Sequence, residues 1–135
     1  MINYTNILRE HNLKATPQRL AIANTLYASG HITIDSLYGV MVKKFNSISL
    51  ATIYKNINLM LENSFIKEVK LPNAKSVYEL TQAPHSHLVC TKCSAIEDIT
   101  IDLNSIINTV TKTSSFKVDS TNLVLSGICK ECYNS

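Results

Sequence analysis

The chain has 135 residues, of which 45% are hydrophobic, and it contains only three Gly and three Pro. This composition excludes a disordered or low-complexity chain, and no run approaches the roughly 20 consecutive apolar residues of a membrane span. The first residues lack the basic region and apolar core of a secretory signal. We therefore expect a soluble, cytoplasmic protein without membrane contact.

Positive charge is concentrated in the first part of the chain. Residues 1–80 contain nine Lys and Arg against five Asp and Glu, whereas residues 81–135 contain four against five. Both arginines, Arg9 and Arg19, lie in the basic part. A basic region favours a polyanionic partner such as DNA. On charge alone, a chance imbalance explains the pattern equally well.

The basic part begins with a helical pattern. The Thr16 hydroxyl can cap a helix that starts at Pro17, a residue suited to the first helical turn. Gly30 should end this helix, because glycine tolerates the backbone conformation that follows a last helical turn. The apolar face of the helix should carry Leu20, Ala23, Leu26 and Tyr27, and its polar side Gln18, Asn24 and Thr25. The helices predicted in this region are Tyr4–His11, Pro17–Ser29 and Asp35–Phe45.

A fourth helix has two different faces. Ser49 can cap it, and its apolar stripe consists of Leu50, Ile53, Ile57, Met60 and Leu61. The remaining surface carries Thr52, Lys55, Asn56 and Asn58, with Tyr54 at its edge. This surface has no acidic residue, which suits base edges and phosphates. For an isolated helix, a simply solvated face would be the more common explanation.

Two extended runs, Ile66–Leu71 and Ser76–Leu80, are joined by residues 72–75 and predict a hairpin. Three helices followed by a hairpin is the order of a winged helix-turn-helix, and this context favours DNA recognition. We therefore predict a DNA-binding domain over residues 1–80. We assign its DNA contacts to Arg19, Ser49, Thr52, Tyr54, Lys55 and Asn56.

Residues 81–84 are predicted to form a hinge, and residues 85–135 have a mixed pattern of strands and one helix. The predicted elements are strands His87–Cys90, Ile96–Ile101 and Leu123–Ile128, and a helix from Asp102 to about Ser114. The fold class is therefore α+β, with a small α/β second domain. A unit this small usually needs a metal, a disulfide or a partner subunit to be stable.

All four cysteines lie in this second domain, as Cys90-x-x-Cys93 and Cys129-x-x-Cys132. Two such pairs can face one ion and form a tetrahedral thiolate site, and Zn²⁺ is the metal that this site prefers. Two disulfides or a redox-active pair are the alternative, which is disfavoured in a cytosolic chain. Because four thiolates close the coordination sphere, we expect a structural zinc.

His85 and His87 stand two apart beside the first cysteine pair. On an extended strand they point to the same side and can bind one metal, with Glu79 and Asp98 as available carboxylates. Mixed imidazole and carboxylate ligation suits iron, manganese or zinc. A polar surface role is the alternative for a lone histidine.

Taken together, these motifs resemble the ferric uptake regulator (Fur) family over nearly the whole chain. The resemblance rests on Thr16-Pro17-Gln18-Arg19, on Ser49-x-Ala51-Thr52-Ile53-Tyr54, on His85-x-His87-x-x-Cys90-x-x-Cys93 and on Cys129-x-x-Cys132. It implies a homodimeric repressor of double-stranded promoter DNA, with a regulatory Fe²⁺ or Mn²⁺ between the two domains. The ligands that it implies are His31, Glu79, His85, His87 and Asp98; His31 is assigned by the resemblance alone.

Within the family, the chain most resembles the peroxide-responsive branch. Asp98 matches that branch, whereas Glu79 stands where well-known peroxide sensors have Asp. The chain lacks the extra histidine- and carboxylate-rich site of many iron sensors, and it has no further cysteine of the kind that zinc sensors use. An iron-responsive repressor without peroxide sensing is the alternative.

The resemblance also implies a mechanism. The bound metal clamps the dimer in its DNA-binding form, and peroxide with ferrous iron oxidises the imidazole of His31 or His85, which releases the repressor. We therefore expect no enzyme. Two alternative hypotheses belong to other functional classes. The first is a metal hydrolase that uses His85 and His87, although no recognisable base or nucleophile motif accompanies these histidines. The second is a zinc-ribbon interaction module without DNA binding.

Overall fold

The computed structural model describes residues 2–135 and divides them into two compact units, with the boundary between Gln82 and Ala83. This boundary falls inside the segment 81–84. A bending motion at that segment stays a prediction. None of the helices in the described residues is long and apolar enough to cross a membrane.

The first unit consists of four helices followed by a two-stranded hairpin, in the predicted order. The helices are α1 (Thr5–Glu10), α2 (Pro17–Ser29), α3 (Ile34–Lys44) and α4 (Leu50–Glu62), and the strands are β1 (Ile66–Val69) and β2 (Val77–Leu80). Side-chain hydroxyls begin three of the helices: Thr16, Thr33 and Ser49 each accept a hydrogen bond from the backbone N–H three residues later. Each bond satisfies a donor that the first helical turn leaves without a partner.

The core of this unit lies between the helices. Nine large side chains are almost fully buried among the described residues: Leu8, Ile22, Leu26, Leu37, Met41, Ile53, Ile57, Met60 and Ile66. Two predictions about the faces of α2 are wrong. Thr25 is buried, and its hydroxyl donates to the Ala21 carbonyl (2.7 Å), whereas Tyr27 is 60% exposed. The intrahelical hydrogen bond allows the Thr25 hydroxyl to be buried without leaving its donor unsatisfied.

The hairpin pairs β1 with β2 in antiparallel register, from Ile66 opposite Leu80 to Val69 opposite Val77. Both strands are shorter than predicted. Pro72 has no N–H to donate and Asn73 has a φ of 56°, so the turn uses more of the chain. Ile32 extends this sheet by an antiparallel bridge to Tyr78.

The second unit is a three-stranded sheet with two helices. Its elements are β3 (Ser86–Cys90), β4 (Ile96–Ile99), α5 (Asn104–Ser114), β5 (Val124–Gly127) and α6 (Lys130–Tyr133). The strand order is β4-β3-β5, with β3 antiparallel to β4 and parallel to β5. The sequence did not predict α6. α5 starts at Asn104 rather than at Asp102, because the Asp102 carboxylate accepts from the Asn104 N–H (2.9 Å) just outside the helix.

Candidate metal sites and nucleic-acid interface

The four cysteines converge in the second unit. Cys90 ends β3, Cys93 lies in the turn that follows, Cys129 lies after β5, and Cys132 is in α6. Their Sγ atoms all lie within 4.8 Å of one another, and the Cys93 and Cys129 Sγ atoms are 3.7 Å apart. Tetrahedral zinc with Zn–S bonds of about 2.3 Å places its sulfurs about 3.8 Å apart. The donor set and its spacing therefore fit Zn²⁺, whereas a disulfide would need about 2.05 Å.

Local chain geometry builds this site. Cys90 pairs with Gly127 in the parallel register, and the Thr91 N–H donates to the Gly127 carbonyl (2.8 Å), which aligns the ends of β3 and β5. Ser94 has a φ of 64°, and its N–H donates to the Cys90 carbonyl (2.9 Å). This tight turn returns the chain so that Cys93 faces Cys90.

Backbone hydrogen bonds polarise the thiols. The Cys129 N–H (3.3 Å) and the Cys93 N–H (3.4 Å) both donate to the Cys90 sulfur, and this donation lowers the pKa of Cys90 to about 6. The side-chain hydrogen bond with Cys129 instead raises the pKa of Cys132 to about 12. Thiols bind a metal as thiolates, so metal binding at this site is linked to the release of their protons.

In the first unit, His31 and Glu79 form an imidazole–carboxylate pair. Ile32 lies opposite Tyr78 in an antiparallel bridge, so one step along the bridge places His31 opposite Glu79. The His31 Nε2 and Glu79 Oε2 atoms are 3.0 Å apart, and Glu79 is only 2% exposed. A carboxylate this buried requires a charged or hydrogen-bonding partner.

In the second unit, two histidines surround one carboxylate. His87 pairs with Asp98 across β3 and β4, and His85 lies just before β3. The Asp98 Oδ1 atom is 3.5 Å from His87 Nε2 and 3.8 Å from His85 Nε2, which is longer than a hydrogen bond. The imidazole rings are 4.6 Å apart, and His85 Nδ1 is 3.0 Å from the Ala83 carbonyl. A backbone acceptor at Nδ1 orients Nε2 as a ligand, as is common for metal-bound histidines.

The structure therefore brings the predicted regulatory ligands together in two groups, each inside its own unit: His31 with Glu79, and His85 with His87 and Asp98. These imidazole and carboxylate donors suit Fe²⁺, Mn²⁺ or Zn²⁺ and not a thiolate-seeking metal. The sequence missed the local reason for the first group, because no strand was predicted at Ile32, which forms the bridge to Tyr78.

The candidate nucleic-acid surface is centred on α4. The Ser49 and Thr52 hydroxyls are 3.0 Å apart at its start, while Lys55 is exposed and Tyr54 is 46% exposed. Leu50, which was expected in the apolar stripe, is 40% exposed because it is the first residue of α4 and lies at its N-terminal end. Tyr54 and Leu50 are one turn apart and present apolar area beside the polar groups.

The prediction that Asn56 lies on the exposed polar face is wrong. Asn56 is only 7% exposed, and its Oδ1 accepts from Arg19 Nε (3.1 Å). Its Nδ2 donates to the Thr52 carbonyl (3.2 Å) and lies 3.5 Å from Gln18 Oε1. The contacts with Arg19 and Gln18 turn the amide toward α2. Gln18 belongs to the Thr16-Pro17-Gln18-Arg19 motif, but the sequence did not predict its contact with Asn56.

Comparisons with known proteins agree with this architecture. The family model described as "Ferric uptake regulator family" matches residues 10–126. The chain is 32% identical over 127 residues to the peroxide operon regulator of Bacillus subtilis (strain 168), which covers 93% of this chain and 88% of that protein. It is 36% identical to the Campylobacter jejuni peroxide stress regulator in its crystal structure (TM-score 0.74, covering 97% of this chain and 100% of that one). It is 27% identical to the Vibrio cholerae ferric uptake regulator (TM-score 0.75, 94% and 100%).

Proposed function

Because this chain belongs to the ferric uptake regulator family, we propose that it is a metal-dependent repressor that binds promoter DNA and senses peroxide. The observation that carries the metal dependence is that each unit contributes its own imidazole–carboxylate cluster. In the first unit it is His31 with the buried Glu79, and in the second it is His85 and His87 around Asp98.

One regulatory ion, Fe²⁺ or Mn²⁺, is held by all five of these residues in the proposal. Two ligands belong to the DNA-binding unit and three to the second unit, so one ion shared by both would restrict the angle between the units. In a dimer, that angle sets the spacing of the two α4 helices on the DNA, and the ion shifts the population toward the binding form. The four-cysteine site holds a structural Zn²⁺ in each subunit.

The second unit also supports a homodimer. None of the residues of α5 is buried, and the side chain of Ile106 in that helix is 57% exposed. Leu125 in β5 and Ile128 directly after it are exposed as well. A partner subunit that covers these apolar side chains would remove them from water and supply the core that about 50 residues cannot build alone.

On the DNA side, α4 enters the major groove. Tyr54 and Lys55 face the bases and phosphates, with Ser49 and Thr52 at the start of the helix and Arg19 contacting phosphate. All five residues carry exposed or partly exposed hydrogen-bonding groups on the first unit.

Peroxide sensing depends on the histidine ligands. When bound, ferrous iron would start the cleavage of the O–O bond of hydrogen peroxide. Over the whole reaction peroxide is the two-electron oxidant: one of its oxygens is added to an imidazole carbon and the other leaves as water. The imidazole carbons of His31 and His85 are the proposed targets, and an oxidised ring no longer offers the same nitrogen lone pair to a cation. Losing one ligand from either unit weakens the restraint between the units, and the repressor leaves the DNA.

The test is DNA binding by protein loaded with Fe²⁺ or Mn²⁺, before and after peroxide, combined with mass spectrometry of tryptic peptides. We expect binding with either metal, and release together with one added oxygen on a His31 or His85 peptide only with iron. Manganese-loaded protein is the matched control. Release without any added oxygen on these histidines would refute peroxide sensing, and the iron-responsive repressor would remain.

The proposal places the protein in the cytoplasm and assigns it no catalytic turnover. Both statements rest on the family, which consists of transcription regulators. Metal-dependent hydrolysis of an ester or phosphate substrate that is lost with His85→Ala and His87→Ala would instead favour a hydrolase.

A further inference from the structure

A polar side chain on the DNA-facing helix is buried. Asn56 lies one turn after Thr52 and is 7% exposed, although its neighbours Lys55 and Asn58 are exposed. Burying an amide is costly unless its donors and acceptor are bonded. Asn56 meets this condition across two helices, because Oδ1 accepts from Arg19 and Nδ2 donates to the Thr52 carbonyl within α4.

Arg19 is restrained on the other side of this contact. It lies in the first turn of α2, where its backbone N–H donates to the Thr16 hydroxyl (3.2 Å). Its guanidinium donates from Nε to Asn56 (3.1 Å) and from Nη1 to the Lys14 carbonyl (3.2 Å). A guanidinium has five N–H donors in a rigid fork, so within the described chain these two bonds orient the group and leave donors for an anion.

We infer that Asn56 is a positioning residue for DNA binding: it holds the Arg19 guanidinium of α2 against α4, so that both helices present one surface to the phosphates. The inference rests on the proposed function and replaces the expected direct contact of Asn56 with DNA. Restraint of Arg19 before binding reduces the rotamer freedom lost when it meets a phosphate.

The amide suits this role better than a carboxylate. An amide oxygen accepts from Arg19 without neutralising its positive charge, and the same group can donate to the Thr52 carbonyl. Aspartate at this position would keep the acceptor for Arg19, but it would cancel the charge that attracts DNA and would lose the donor. Alanine would remove the contact altogether.

The experiment is a double-mutant cycle between Asn56→Ala and Arg19→Ala. The zinc-containing, manganese-loaded protein is bound to a duplex that the wild-type protein selects from a random-sequence library. We expect Asn56→Ala to weaken binding by about tenfold when Arg19 is present and by less than about twofold in the Arg19→Ala background. Asn6→Ala is the matched control, because it removes an exposed amide from α1, a helix of the same unit to which no DNA contact is assigned.

The salt dependence separates positioning from general stability. The slope of log K against log salt is negative, and each lost phosphate contact reduces its magnitude by about 0.9. A less restrained Arg19 should reduce this magnitude, as Arg19→Ala does. A merely structural role of Asn56 would leave this slope unchanged. If Asn56→Ala fails to fold, Arg19→Lys supplies the second test. It keeps the charge without the Nε–H, and we expect it to reproduce the loss in affinity.

Equal weakening by Asn56→Ala in both Arg19 backgrounds would overturn the inference and leave the repressor intact. Full affinity of Arg19→Lys would also overturn it. A wild-type protein that shows no salt-dependent binding to any duplex would overturn the proposed function, and the positioning role with it.

Discussion

Replacing Glu79 by Gln tests the regulatory metal directly. Glu79 is 2% exposed and its Oε2 lies 3.0 Å from His31 Nε2, so the change removes one charge from a site with little water. The shape is retained and the amide can still hydrogen-bond. We expect the loss of a charge-assisted interaction of about 1.5–3 kcal/mol, which corresponds to a Mn²⁺ affinity lower by about 10- to 150-fold.

The lower Mn²⁺ affinity also reduces the stabilisation of the fold by the metal. A metal at 100 times its dissociation constant stabilises the wild-type protein by about 2.7 kcal/mol. If Glu79→Gln weakens binding by about 30-fold, the same metal concentration stabilises the variant by only about 0.9 kcal/mol. Calorimetric titration with Mn²⁺ measures the affinity, and thermal unfolding with and without Mn²⁺ measures the stabilisation.

Glu68→Gln is the matched control, because Glu68 lies in the other strand of the same hairpin and is exposed. It should retain wild-type Mn²⁺ affinity. If Glu79→Gln bound Mn²⁺ as tightly as the wild-type protein, Glu79 would not be a ligand and the reasoning about the shared ion would be wrong.

Three further predictions concern stability. Ser49→Ala should lower the free energy of unfolding by about 1 kcal/mol in urea titrations, because the Thr52 N–H loses its acceptor. Ser47→Ala is the control, since Ser47 is exposed, and equal effects of the two substitutions would contradict the capping role of Ser49. Gly30→Ala should destabilise the protein by about 1–2 kcal/mol, since Gly30 has a φ of 74°. Gly39→Ala within α3 should instead stabilise the protein by up to about 1 kcal/mol. Changes of the same sign in both variants would refute this argument. Chelation of zinc from the four-cysteine site should abolish dimers in sedimentation and reduce strand signal in circular dichroism, and an unchanged dimer would exclude a structural role for the metal.

Much of the first unit could be predicted because its signals are local. Thr16 caps α2 and Gly30 ends it, as expected from the residue types, and Ser49 caps α4. The strand lengths were less predictable. The turn around Asn73 takes residues that have strand character, and strand propensity depends strongly on the pairing partner.

Burial within the helices was predicted less well. Helical periodicity placed Thr25 and Asn56 on polar faces and Tyr27 and Leu50 on apolar ones, and the structure reverses all four. Thr25 and Asn56 are buried because hydrogen bonds satisfy their polar atoms. A wheel of one helix cannot show this, since the partner of Asn56 is a residue of α2.

The sequence alone determined the residue chemistry of the two metal sites. Two Cys-x-x-Cys pairs specify thiolate ligation, and histidines two apart next to a strand specify a shared side, because both patterns depend only on covalent spacing and strand geometry. Only the tertiary structure decided which distant residues meet. The Ile32–Tyr78 bridge places His31 against Glu79, and a hydrogen bond joins Asn56 of α4 to Arg19 of α2. These contacts join residues that are far apart in the chain, so they depend on packing and backbone pairing, which no local pattern encodes.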